Sequence, residues 1–156
     1  MATKKVIAGI QQMGVGVENV HEAWAWYRKH FGMDIEVFEE AATAQLMLPH
    51  TNNKPIPRHA VLAINLQGGG GFEIWQQTKY KPLPPTFDVQ LGDLGLYLCK
   101  MKCKNVEAFF SYCKEQGLNL LSEIVTDPAG RKTFYLADPY GNVFQPIQSD
   151  EWYKDE

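Results

Sequence analysis

Hydrophobic and polar positions along this chain alternate with two periods, and the order of those periods is written twice. In "VIAGIQQMGVGV" (6–17), Met13, Val15 and Val17 fall on one side of an extended chain and Gln12, Gly14 and Gly16 on the other. That is the period of two expected of a strand. The overlapping stretch "GVGVENVHEAWAWYRKHFG" (14–32) then changes to helical spacing, with Val20, Trp24, Tyr27 and Phe31 on one face. Asn19 is placed to cap this helix, since its side chain accepts orphan backbone N–H groups, and Gly32 suits the left-handed position past the end. "DIEVFEEA" with "AQLML" (34–48), "HAVLAINL" (59–66) and "GFEIWQQ" (71–77) follow and read as strands.

The second writing starts at "LGLYLCKMKC" (94–103). Tyr97, Cys99, Met101 and Cys103 share one face, and Leu96, Leu98, Lys100 and Lys102 the other. "KMKCKNVEAFFSYCKEQG" (100–117) repeats the helix, with Asn105 as cap, Val106, Phe109, Phe110 and Cys113 at helical spacing, and Gly117 at the end. Strands follow in "NLLSEIV" (119–125), "KTFYLA" (132–137) and "NVFQPIQ" (142–148). Each half reads β-α-β-β-β, with turns at Gly68–Gly71 and Asp138–Asn142. Proline-rich "QTKYKPLPPTFDVQLGD" (77–93) joins them. The expectation is one α+β domain over residues 1–156: module one about 6–77, linker 78–93, module two about 94–149.

One helix per module cannot cover a sheet on both faces. The economical arrangement is a cupped, mostly antiparallel eight-stranded sheet with both helices on its outer face. Burying Met13, Val15 and Val17 against the helix leaves Gln12 on the concave side, and a one-residue slip would reverse this.

Composition narrows the field. At 156 residues the chain suffices for one well-buried domain. Apolar residues are 45%, charged residues 21%, and the net charge is −3, so no electrostatic footprint favours nucleic acid or an anionic membrane. No run reaches the roughly 18 apolar residues a membrane span needs. The beginning, Met-Ala-Thr-Lys-Lys, leads into a strand-like segment without the apolar core of a signal peptide, which predicts a cytoplasmic protein. Cys99, Cys103 and Cys113 lack metal-ligand spacing and read as reduced thiols.

"QMGVGVENVHEAWAWYRKHFG", "GFEIWQ" and "DPYGNVFQ" together resemble the vicinal oxygen chelate superfamily, which includes glyoxalase I, bleomycin-resistance proteins and extradiol dioxygenases. The resemblance covers roughly residues 6–149, and its most specific element is the Asp-Pro-x-Gly-Asn turn followed by a strand. It implies paired β-α-β-β-β modules around a cup, with four inward positions that can hold a divalent metal. Those positions fall at Gln12, Glu73, Leu98 and Gln145. The repeat agrees, because Gln12 and Leu98 each lie eight residues before Val20 and Val106. Gln145 thus stands where metal-binding members commonly keep a carboxylate. Pairing in homodimers is a further implication, since curved sheets leave edges to cover.

The side chains at those positions predict a degenerate metal site. Leu98 offers no lone pair, Gln12 and Gln145 offer neutral carbonyl oxygens, and Glu73 is the sole anion. Gln12 and Glu73 match the glyoxalase I pattern of the first module, but the second module matches nothing. No cofactor is therefore expected, although an oxygen-only set with one charge can hold magnesium or calcium weakly. Glu73 is the one candidate acid or base, or else a carboxylate hydrogen-bonded to the neighbouring amides of Gln12 and Gln145. Lys100 is either an attractor for an anionic ligand or a rim lysine. Trp75 and Tyr135 form an aromatic wall or belong to the core. His50 and His59 lie near the first-module loop 49–58, where His50 reads as solvated or as a substitute ligand. The glycine run 68–71 lacks the following helix of a phosphate cradle and reads as a turn.

Three functions fit this reading. One is a small-molecule-binding protein with a pocket lined by Gln12, Glu73, Trp75, Leu98, Lys100, Tyr135 and Gln145. The second is a divergent lyase, isomerase or dioxygenase using a divalent metal, and the third a regulatory or assembly module with a vestigial cavity. The expected partner is a small molecule, with no nucleic acid and no membrane.

Overall fold

The computed structural model describes residues 10–151, so the beginning of the first expected strand, residues 6–9, lies outside the described residues. The chain divides into two compact units, Met1–Lys81 and Pro82–Glu156, with the break inside the proline-rich connector. The fold class is α+β, with one sheet of four strands and one of six.

In the first unit the order is β1 (Gln12–Gly16), α1 (Val20–Phe31), β2 (Ile35–Thr43), β3 (Pro57–Asn65) and β4 (Gly70–Gln77). The strands lie in the order β1-β4-β3-β2, with β1 parallel to β4 and the other pairs antiparallel. Helix α1 begins where Asn19 Oδ1 accepts the N–H groups of His21 and Glu22, at 3.1 and 3.2 Å. It ends at Gly32, whose φ of 63° is the left-handed conformation that lets its N–H return to the Tyr27 carbonyl. Val20, Ala23, Tyr27 and Phe31 are buried, and the Tyr27 and Phe72 rings meet edge-on at 5.0 Å. The core therefore sits between α1 and the face of Val15, Val61, Phe72 and Ile74.

Two first-module expectations are corrected. Trp24 is only half-buried, since its indole N–H reaches the Met33 carbonyl at 3.0 Å, and Ala23 takes the core position. "AQLML" does not continue the strand, and the β2–β3 ladder ends at the Thr43–Pro57 pair. Residues Gln45–His50 coil into a 3-10 turn instead, with Met47 N–H returning to Ala44 and Thr51 N–H to Leu48.

The second unit contains β5 (Leu98–Cys103), α2 (Val106–Glu115), β6 (Asn119–Leu120), β7 (Val125–Thr126), β8 (Lys132–Thr133), β9 (Leu136–Ala137) and β10 (Val143–Gln148). Asn105 caps α2 by accepting the Ala108 N–H, and Phe110 packs edge-on to Phe134 at 5.1 Å. The first strand starts at Leu98 rather than 94, and Leu94 and Leu96 are exposed. The strands expected over 119–125 and 132–137 are each interrupted, which raises the module's strand count from four to six. The interruption of the second lies at Phe134–Tyr135, opposite Gln145–Pro146 of β10. Pro146 has no N–H to give the ladder, and side chains substitute. Thr133 Oγ1 donates to the Pro146 carbonyl at 2.7 Å, and Ser122 Oγ accepts the Tyr135 N–H at 3.0 Å.

The turn before β10 is held by one buried carboxylate. Asp138 Oδ1 accepts the N–H groups of Tyr140 and Asn142, at 2.9 and 2.8 Å, and its Oδ2 accepts the Asn142 side-chain amide. Gly141, at φ 87°, completes the reversal. Each module also ties the first turn of its helix to its last strand by the same device. Val20 N–H donates to Gln76 Oε1 at 3.1 Å in the first, and Val106 N–H to Gln148 Oε1 at 3.2 Å in the second.

Candidate functional site

Strand phase decides which side chains share the face away from α1. On β4, Phe72 and Ile74 are buried toward the helix, so Glu73 and Trp75 point the other way. Across the ladders Glu73 lies between Gly14 and Leu62, and Trp75 between Gly16 and Ala60. Gln12, two residues before Gly14, projects from the same face, and its Nε2–H donates to Glu73 Oε2 at 2.7 Å. A Cβ built at Gly14 or Gly16 would meet nothing within 4 Å, so the space above Glu73 and Trp75 is open on the β1 side. The structure brings Gln12, Glu73 and Trp75 onto one face.

In the second unit Gln145 is 5% exposed, and its Nε2–H donates to the Tyr135 hydroxyl at 3.1 Å. The parallel register sets Gln145 beside Lys100 and Val143 beside Leu98, so these four share one face of β5 and β10. Lys100 is exposed and Leu98 half-buried.

The repeat can now be fixed at both ends. Gln12 pairs in register with Gly71, two residues before Glu73, and Leu98 pairs with Val143, two residues before Gln145. The helix ties agree, because Gln76 and Gln148 each follow those positions by three. Gln12 is therefore equivalent to Leu98, and Glu73 to Gln145.

The donor chemistry at these positions differs between the two modules. The first module supplies one carboxylate whose Oε2 is engaged by an amide N–H, and the second supplies a hydrocarbon and an amide bound to a phenol. Nitrogen, sulfur or a second carboxylate would be needed to hold a transition-metal ion tightly. The cysteines offer no substitute: burial raises the Cys99 and Cys103 thiols above their ordinary range. Burial and then the neighbouring Cys103 push Cys113 up to about 12.

One residue on the first-unit face escaped the sequence reading. Arg58 continues the row of Leu62 and Ala60 along β3, and its guanidinium pairs with Glu40. Its Nη1 is buried with no hydrogen-bond partner among the described residues. The signal was present as alternation, Arg58 standing two before Ala60, but a lone arginine at the start of a strand reads as solvated. His50 is exposed in the 3-10 turn, whereas His59 lies on the opposite face, toward α1.

The sequence pattern of the Glyoxalase/Bleomycin resistance protein/Dioxygenase superfamily matches residues 9–145. The chain belongs to this superfamily. No curated protein matches the sequence significantly. Among solved structures, a glyoxalase family protein from Bacillus cereus is 13% identical with a TM-score of 0.71, covering 95% of this chain and 97% of that one. The glyoxalase family protein from Enterococcus faecalis is 18% identical with a TM-score of 0.65, covering 90% and 98%. Lactoylglutathione lyase from Agrobacterium tumefaciens is 16% identical with a TM-score of 0.56, covering 93% and 96%. At such identities the likeness to these three extends to the fold of the superfamily member described here and not to its chemistry. No helix among the described residues is long and apolar enough to cross a membrane.

Proposed function

We propose that this superfamily member binds a small molecule and does so without a transition metal at the family positions. The observation that carries the reading is the Gln12–Glu73 hydrogen bond of 2.7 Å. It turns one oxygen of the carboxylate toward an amide, where a metal-dependent relative would direct it to a cation. A lyase or dioxygenase of the glyoxalase type would need anionic or imidazole donors that Leu98 and Gln145 do not supply.

The first-unit face has the make-up of a ligand wall, with Trp75 as an apolar plate and Gln12 and Glu73 as orienting polar groups. The unpartnered Arg58 Nη1 is a buried donor that an acceptor oxygen on a ligand would satisfy. The three free cysteines suit a reducing cytoplasm.

The test is a small-molecule screen read by tryptophan fluorescence, with elemental analysis of the protein as purified. A ligand found this way should lose its fluorescence signal in Trp75→Phe and its affinity in Glu73→Gln. A stoichiometric transition metal in the wild type that disappears in Glu73→Gln would overturn the proposal.

A further inference from the structure

We propose that His21, Glu39 and His59 form a binding site for a divalent transition metal of the zinc or nickel type, on the helix-covered face of the first sheet. Glu39 Oε1 lies 2.8 Å from His59 Nε2 and 3.5 Å from His21 Nε2. The donor atoms of all three residues lie within 4.8 Å of one another. Bonds of about 2.0–2.1 Å in a tetrahedral shell set donors roughly 3.3 Å apart, a spacing that the two edges to Glu39 bracket. Two imidazoles and a carboxylate are the donor set that zinc and nickel prefer, whereas magnesium and calcium take oxygen almost alone.

The site is distinct from Gln12 and Glu73, and strand register proves the point. Glu39 pairs across β2 and β3 with Val61, and Val61 pairs with Ile74, which is buried toward α1. His59 lies on that same face, opposite Ala41 and Gln76. Glu73 occupies the alternate row with Leu62.

The fold also preorganises the third ligand. Gln76, the cross-strand neighbour of His59, accepts the Val20 N–H and so pins the first turn of α1 beside His59. Asn19 fixes the next residue, because its Oδ1 accepts the His21 N–H. The two rings consequently meet edge-to-face with centroids 5.1 Å apart. The positive end of α1 opposes a cation, and Glu22 in the same turn offsets it. The His21 side chain is 60% exposed and those of Glu39 and His59 are 31% and 23%, which leaves coordination positions open to water.

The second module has a simpler answer at the matching place. Glu107 follows Asn105 as His21 follows Asn19, and Lys132 lies beside Gln148 as His59 lies beside Gln76. Glu107 and Lys132 form an ion pair there. A shared location that holds an ordinary ion pair in one module holds two imidazoles around a carboxylate in the other.

The experiment is calorimetric titration of the full chain, without a histidine tag, with zinc, nickel and magnesium chlorides. It is repeated on His21→Ala, His59→Ala, Glu39→Gln and Glu73→Gln, with circular dichroism to confirm folding. The expected result is one zinc or nickel per chain and no heat from magnesium. Binding is lost in folded His59→Ala and in His21→Ala, weakened in Glu39→Gln, and kept in Glu73→Gln. The chain has four histidines, so ring resonances supply a second readout. Zinc should move the signals of His21 and His59 and leave those of His30 and His50 in place. Equal zinc uptake by wild type and His21→Ala would overturn the proposal, as would loss of binding in Glu73→Gln or movement of His30 and His50 instead.

Discussion

Replacing Gln76 by alanine should loosen the start of α1 by a calculable amount. The side chain contributes one acceptor to Val20 N–H at 3.1 Å, in a part-buried setting. Removing that acceptor costs about 0.5–1.5 kcal/mol, the usual net value of a protein hydrogen bond. Loss of the half-buried stem adds a fraction of the ~0.8 kcal/mol that each fully buried methylene contributes. The total is roughly 1–2 kcal/mol, which for a chain of this length lowers Tm by about 2–4 °C per kcal/mol. Gln76→Glu keeps an oxygen where the helix N-terminus favours negative charge, so it should stay within about 0.5 kcal/mol of wild type. Urea denaturation followed by far-ultraviolet circular dichroism measures all three proteins under one condition. If Gln76→Glu falls as far as Gln76→Ala, acceptance of the Val20 N–H is not what the residue does. If neither falls, the tie is incidental to stability.

Gln145→Glu puts a carboxyl into a site only 5% exposed, with the Tyr135 hydroxyl beside it. Burial raises the folded pKa above the unfolded ~4.3, so the penalty is absent at low pH and grows as pH rises past that value. Chemical denaturation should show the variant near wild type at pH 4 and destabilised by roughly 1–3 kcal/mol at pH 7, and a pH-independent difference would contradict the reasoning. Gly71→Ala places a Cβ 2.5 Å from Ile64 Cγ2 and 2.6 Å from the Ala63 carbonyl oxygen, both too close to keep. It should cost about 1–3 kcal/mol in thermal unfolding, whereas Gly14→Ala, with open space around it, should cost nothing; equal behaviour would contradict the packing described.

The repeat was legible in the chain because its signals are local. Asn19 and Asn105 cap by reaching two or three residues ahead, and the alternation in β1 shows on its own which residues face the helix. The equivalence of Gln12 and Leu98 followed from counting back from Val20 and Val106, whereas Glu73 and Gln145 were matched through the family resemblance and fixed to each other only by strand register. The shortened and broken strands were not legible, because each depends on a partner far along the chain. β2 ends opposite Pro57, where β3 begins, and the interruption at Phe134–Tyr135 answers Pro146 on another strand. Of the two amides expected beside Glu73, Gln12 donates to it, whereas the Gln145 amide donates to the Tyr135 hydroxyl, a link that needed the fold. His21, Glu39 and His59 carry no spacing a motif would use, since a helix, a strand and its neighbour each supply one. Arg58 was unremarkable until its buried Nη1 came into view.

The helix tie has a consequence for how each module comes together in time. Val20 is tied to a residue 56 positions later and Val106 to one 42 positions later, so each tie needs the last strand of its module in place. Closing a chain of that length is entropically costly, yet the cost grows only with the logarithm of loop length. Between 42 and 56 residues the difference is roughly 0.25 kcal/mol, from (3/2)RT times the logarithm of their ratio. The extra length of the first module includes the 3-10 turn and the loop around it, between β2 and β3. Such an insertion is nearly free thermodynamically so long as both ends keep their register. Module one can therefore carry its additional segment while closing almost as readily as module two.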